Sequence, residues 1–169
     1  MTWQSIKGRL LDLVWASLAI AAGVGVIRLG DYLLGVRLEY FWGIATFSWA
    51  WLADMFLVPA VGGIVVSFVY GLGGKTLAYF PAPIARIISY YEVVHYHLVP
   101  AQASVLPIGF WGFVVIMVLE SAIIGGVVGE IMFKKIYGRT PKHLQHLIRK
   151  TKDRRKAAAT QGPVSESKE

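Results

Sequence analysis

Three stretches of this 169-residue chain are apolar for long enough to cross a bilayer, and nothing else in it constrains the fold as strongly. In lipid every backbone N–H and C=O must be satisfied internally, so a crossing segment is a helix of about 20 predominantly apolar residues. Residues 10–34, 48–72 and 105–133 meet that length. Lys7 and Arg9 precede the first, as in a secretion signal. No small-x-small cleavage pattern leading into a soluble chain follows, so it reads as a retained span.

An aromatic cluster, Tyr40, Phe41, Trp42, Phe47, Trp49 and Trp51, lies before and at the start of the second stretch, rings that favour the headgroup level because they combine an apolar body with a polar edge. The membrane core of this stretch is expected from Met55 on, with Asp54 capping the helix start and Pro59 in or near the first turn, where a missing N–H costs least. The third stretch would extend roughly 43 Å as a helix, more than a hydrocarbon core of about 30 Å needs, so it tilts or projects. Glu130 stands four residues before Lys134, the favourable order for a helical ion pair.

Between the second and third stretches lies a shorter one, 84–99, in which Ile84, Ile87, Ile88, Tyr91, Val94 and Leu98 recur at helical spacing opposite Arg86, Ser89, Glu92, Tyr96 and His97. It reads first as an interfacial amphipathic helix, and in the alternative as a polar fourth span buried among the others. The fold class is therefore all-α integral membrane, with three to four transmembrane helices, an interfacial amphipathic helix and a basic cytoplasmic tail.

Charge decides the orientation of the end. The formal net charge is +7, but residues 134–169 carry +8 and residues 1–133 carry −1. Eleven basic groups directly after the last span place the C-terminus in the cytoplasm, by the positive-inside rule, as expected in a cell inner membrane. Three spans would leave Lys7 and Arg9 outside, whereas four return them to the cytoplasm. Charge thus favours four crossings and hydrophobicity three. The membrane-embedded domain covers 1–139. The tail, 140–169, begins at Thr140-Pro141, a helix start, is helical to about 157, and is disordered beyond. Lys134, Lys135, Arg149, Lys150, Arg154 and Arg155 are its candidate contacts with anionic lipid. The expected partners are the bilayer and other membrane subunits, or further copies of the chain, and not nucleic acid.

Each long span also carries small residues at spacing four: Ser17, Ala21 and Gly25; Gly63, Ser67 and Gly71; Ser121, Gly125 and Gly129. Helices in lipid associate through close backbone approach, which such rows permit, within one chain or between chains.

Candidate chemistry is sparse. Glu120 stands near the middle of the third span, where a carboxylate costs about 2.5 kcal/mol or more, so it is the candidate ion or proton site or a buried polar contact. Arg28 and Asp31, three apart, suggest an interfacial ion pair. Glu92 and His95 have the i, i+3 spacing of carboxylate-bridged metal sites, and with His97 they are a weak candidate for metal or haem; otherwise no cofactor is expected. The Gly71–Lys75 run, GLGGK, lacks the spacing of a phosphate-binding loop, and no nucleophile elbow or zinc quartet is present. Three functional expectations follow: an accessory or scaffold subunit of a larger membrane complex, without enzymatic chemistry of its own; a homo-oligomeric channel, pore or small transporter using Glu120; and a membrane redox or metal subunit using Glu92, His95 and His97.

Overall fold

A computed structural model describes residues 3–137, and their side chains from 10 to 136. The protein is mostly helical. In chain order it contains α1 (Trp3–Leu34), β1 (Tyr40–Phe41), a 3₁₀ turn (Gly43–Thr46), α2 (Trp49–Tyr70), α3 (Gly74–Leu77), α4 (Pro81–His95), β2 (Ser104–Val105) and α5 (Ile108–Tyr137). Three helical segments, Leu10–Leu34, Gly43–Tyr70 and Ile108–Ile136, are long and apolar enough to cross a membrane. The tail beyond 137, with Arg149, Lys150, Arg154 and Arg155, lies outside the described residues; Lys134 and Lys135 end α5 and are exposed.

Packing is closest between α2 and α5, where the backbones touch. A Cβ on Gly63 would fall on the Ala122 carbonyl, and one on Gly125 would fall on the Ala60 carbonyl. A Cβ on Gly129 would likewise lie 2.9 Å from the Ile64 backbone, and the Ser67 hydroxyl donates to the Gly126 carbonyl at 2.7 Å. Such contact forgoes large side chains and gains dispersion contacts along the whole backbone. Ser121 is buried beside this seam and donates back to the Met117 carbonyl within its own helix.

The rest of the small-residue pattern resolves differently. Gly71 is the C-cap of α2 at φ +90, and Gly73 follows at +91, so the backbone reversal itself demands glycine there. On α1 the inward row is Ala19, Gly23 and Ile27, with Gly23 against Pro81 and Val66 and Gly30 against Val58. Ser17, Ala21 and Gly25 are exposed, and a Cβ on Gly25 would meet nothing within 4 Å.

These contacts set the path of the chain. Gly30 meets Val58 and Gly23 meets Val66, so α1 and α2 are antiparallel. Phe68 meets Phe133 at the far end of α5, while Leu106 N–H, just before α5, bonds to the Glu39 carbonyl before α2. Hence α2 and α5 run the same way, and the segment between them must carry the chain back. It does so as α4, which starts with Pro81 beside Gly23 and ends with Tyr90 against Trp111 at the head of α5. There the two-residue ladder of β1 and β2 (Tyr40 opposite Val105, Phe41 opposite Ser104) ties the loops together.

The interfacial reading of 84–99 assigned its polar face to water. In the structure Arg86 and Ser89 of that face are buried with Ala82, Ala85 and Val93 against α1, α2 and α5, Glu92 is half-buried, Tyr96 and His97 are exposed, and Ile84, Ile87, Ile88, Tyr91 and Val94 point outward. The helix runs Pro81–His95, beginning on prolines that need no N–H partner in a first turn. Asp54 does not cap α2 either: Ser48 does, accepting from Trp51 N–H at 3.2 Å. The helix therefore starts earlier, which puts Asp54 and Pro59 in its interior, both buried.

Candidate functional site

The charges buried by this path converge on Arg86. Its guanidinium is fully buried, with Nη2 donating to Asp31 Oδ1 and Nη1 donating to Glu39 Oε1 at 3.4 Å; Asp54 Oδ2 lies 3.9 Å from the same nitrogen. Four elements supply the four groups. Asp31 comes from the last turn of α1, Glu39 from the loop that β1 begins, Asp54 from the second turn of α2, and Arg86 from the inward face of α4. At 1.5 Å per residue, Asp54 lies about 8 Å along α2 from its start, so the centre sits just under the loops at the end of the bundle away from the termini.

One cation faces three carboxylates, and hydrogen bonds do not satisfy them all. Asp31 Oδ2, Glu39 Oε2 and both oxygens of Asp54 are buried with no donor, and so is Arg86 Nε with no acceptor. Asp54 also lies against Asp31 and Glu39. Burial raises the pKa of the Glu39 carboxyl above the ordinary carboxylate value, opposed by Arg86 and reinforced by Asp31.

A second ionic group lies alongside. Arg28 Nη2 donates to both Glu92 oxygens at 2.8 and 2.7 Å, and Arg37 Nη1 stands 3.7 Å from Glu92 Oε2. The Arg28–Asp31 pair expected from spacing is not formed, because each residue finds a partner on α4. Glu92 is thereby taken up by guanidinium groups. His95 stacks on Tyr91 at 5.1 Å, and His97 is exposed at φ +50. Among the described residues no three His, Cys, Asp or Glu side chains form a group able to hold a metal ion.

Glu120 is exposed on the outward face of α5 and makes no ion pair among the described residues. Glu130 and Lys134 do pair, at 2.8 Å. The residues that cluster were visible in the sequence as the few charges inside apolar segments. Arg86 was the overlooked signal, an arginine on the small-residue face of a proline-bracketed helix. The chain matches no protein-family profile, no curated protein and no solved structure.

Proposed function

We propose that the chain is a four-crossing helical membrane protein with both termini in the cytoplasm, and that its Arg86 centre binds and releases protons at the opposite face, as in a small proton-coupled transport protein. The carrying observation is the imbalance of one guanidinium against three buried carboxylates. An uncompensated buried charge costs about 3–5 kcal/mol. A like charge 4 Å away adds about 4 kcal/mol at an effective dielectric constant of 20. Protonating an ordinary aspartate at pH 7 costs about 4 kcal/mol, so a proton within the set is the cheaper state. With that proton, Asp31 and Asp54 can share a hydrogen bond that two ionised carboxylates cannot make.

The crossing number has its own support. Parallel α2 and α5 require a return path, and α4 turns an apolar face outward along it. With four crossings Lys7, Arg9, Lys75, Lys134 and Lys135 share the side of the basic tail, while Arg28, Arg37 and Arg86 at the other end stand next to carboxylates. Proton movement is tested in proteoliposomes under an imposed pH gradient with an entrapped pH dye. The wild-type protein should dissipate the gradient, and Asp54→Asn should reduce this to the level of empty vesicles while keeping a folded, monodisperse protein. Wild-type flux no greater than empty vesicles, or undiminished flux in the variant, overturns the proposal.

A second reading, as a subunit of a larger membrane complex, is favoured by α1: Ser17, Ala21 and Gly25 present an exposed small-residue row with open space at Gly25. Substituting leucine at Gly25 should shrink the particle isolated in mild detergent; an unchanged size removes this support.

A further inference from the structure

Two clefts of about 420 Å³ each lie side by side at the loop end of the bundle, sharing a wall made by Gly35, Val36, Arg37 and Tyr40. The first is completed by Arg28, Asp31, Tyr32 and Ser89. The second is aromatic, with Trp42 and Trp51 among its lining residues. In the first cleft Asp31 Oδ2 and Ser89 Oγ are buried without a partner, whereas the unpartnered atoms lining the second are both nitrogens. Arg37 Nη1 is out of contact with solvent and makes no hydrogen bond; it stands in ion-pair range of Glu92 Oε2 at 3.7 Å, longer than a hydrogen bond. Trp51 Nε1, on the other side of the shared wall, is likewise buried without an acceptor. Both are obligate donors. No carboxylate lines the second cleft: Glu92 accepts both bonds from Arg28, and Asp31, which accepts from Arg86 through Oδ1 alone, lines the first.

Two unused N–H donors beside aromatic walls in the second cleft are complementary to an acceptor-rich group. Guanidinium adds charge and a fork that matches two oxygens at once. From this geometry we infer a binding site in the second cleft for an oxyanion, a carboxylate or phosphate group, held by Arg37 and with any apolar portion of the ligand against Trp42 and Trp51. The site does not depend on proton movement at Arg86, since it rests on different donors and is read by binding alone. The oxyanion can belong to a soluble molecule or to a lipid headgroup.

The test uses the full chain in phosphatidylcholine nanodiscs. In one arm inorganic phosphate and benzoate are titrated and followed by calorimetry; in the other, phosphatidylglycerol is introduced and the lipid retained after exchange is measured by native mass spectrometry. Saturable binding of a soluble anion, or selective retention of the anionic lipid, is expected. Arg37→Gln should weaken it about tenfold or more, because a charged hydrogen-bonding partner is lost. Arg37→Lys, which keeps the charge and loses the fork, should weaken it less. Trp51→Phe, which removes the indole N–H together with part of the ring, should weaken it a few-fold. Arg37 is one-third exposed at the rim, so its variants are expected to fold, and unfolding midpoints matching wild type verify that. Binding in the soluble arm identifies a free anion, and binding in the lipid arm a headgroup. Binding in neither arm, or binding that Arg37→Gln leaves unchanged, overturns the inference.

Discussion

The seam between α2 and α5 and the centre around Arg86 are both fully buried, yet they are held by opposite means. The seam has almost no side chains: Gly63, Gly125 and Gly129 bring two backbones together, and one hydroxyl, Ser67, bonds across. The centre has long charged side chains drawn from four separate elements, with oxygens left over. The seam has no room for added atoms, and the centre has more carboxylate oxygens than donors. Packing of the first kind stabilises one arrangement, whereas an incompletely satisfied ionic set leaves buried oxygens whose lost hydration is not repaid.

The largest effect should come from adding volume to the seam. Leucine at Gly125 would drive a side chain into the Ala60 carbonyl, where a backbone cannot give way as a rotamer can. Overpacking costs about 1–3 kcal/mol in forgiving sites and more against a backbone, so loss of folded protein on size-exclusion chromatography is expected. If Gly125→Leu remains folded, the seam is not as close as described.

The second effect belongs to the centre. Arg86→Gln removes the only cation from three buried carboxylates and should destabilise by about 3–5 kcal/mol. Adding Asp31→Asn and Glu39→Gln should recover a large part of that loss, as read by denaturant midpoints. Failure to recover would mean that Arg86 acts through its volume rather than its charge.

Smaller still is the pH dependence carried by Glu39. Its pKa is raised on folding, so the folded state binds the proton more tightly than the unfolded one. The stability contributed is full below the ordinary carboxylate value and is lost as pH rises through the folded value. On this account the unfolding midpoint should fall as pH rises from 4 toward neutrality, and Glu39→Gln should flatten that slope. A slope unchanged in the variant would assign it to other groups.

The smallest effect is the control on the seam. Gly25→Leu sits in open space at a glycine of the same spacing pattern, and monomer stability should change by no more than about 0.5 kcal/mol. A large loss would show that the outward row is also packed within the chain.

Of the fold, the long helices were legible because twenty apolar residues in lipid have no alternative to a helix, and α1, α2 and α5 cover the expected stretches with ends shifted by a few residues. The Glu130–Lys134 pair was legible for a similar reason, since both partners lie on one helix one turn apart. Partners on different helices were not. Arg28 and Asp31 are well spaced for each other, but α4 packs between them and offers Glu92 to one and Arg86 to the other. The spacing of the small residues likewise marked three rows without telling which met a neighbour, which faced outward, and which, at Gly71, served a turn.

The sequence by itself determined the mostly helical character, the three segments long and apolar enough to cross a membrane and the concentration of positive charge in the tail, because these depend on composition and local period alone. The tertiary structure decided that 81–95 returns the chain with its polar face inward, that Arg86 meets Asp31, Glu39 and Asp54, and that Glu120 points away. The physical reason is that a charge within an apolar chain must find a partner, yet the covalent chain states only that the need exists. Which residue answers it depends on the direction in which each helix runs, and that direction was set by the glycine seam between α2 and α5 and by the turn at Gly71 and Gly73.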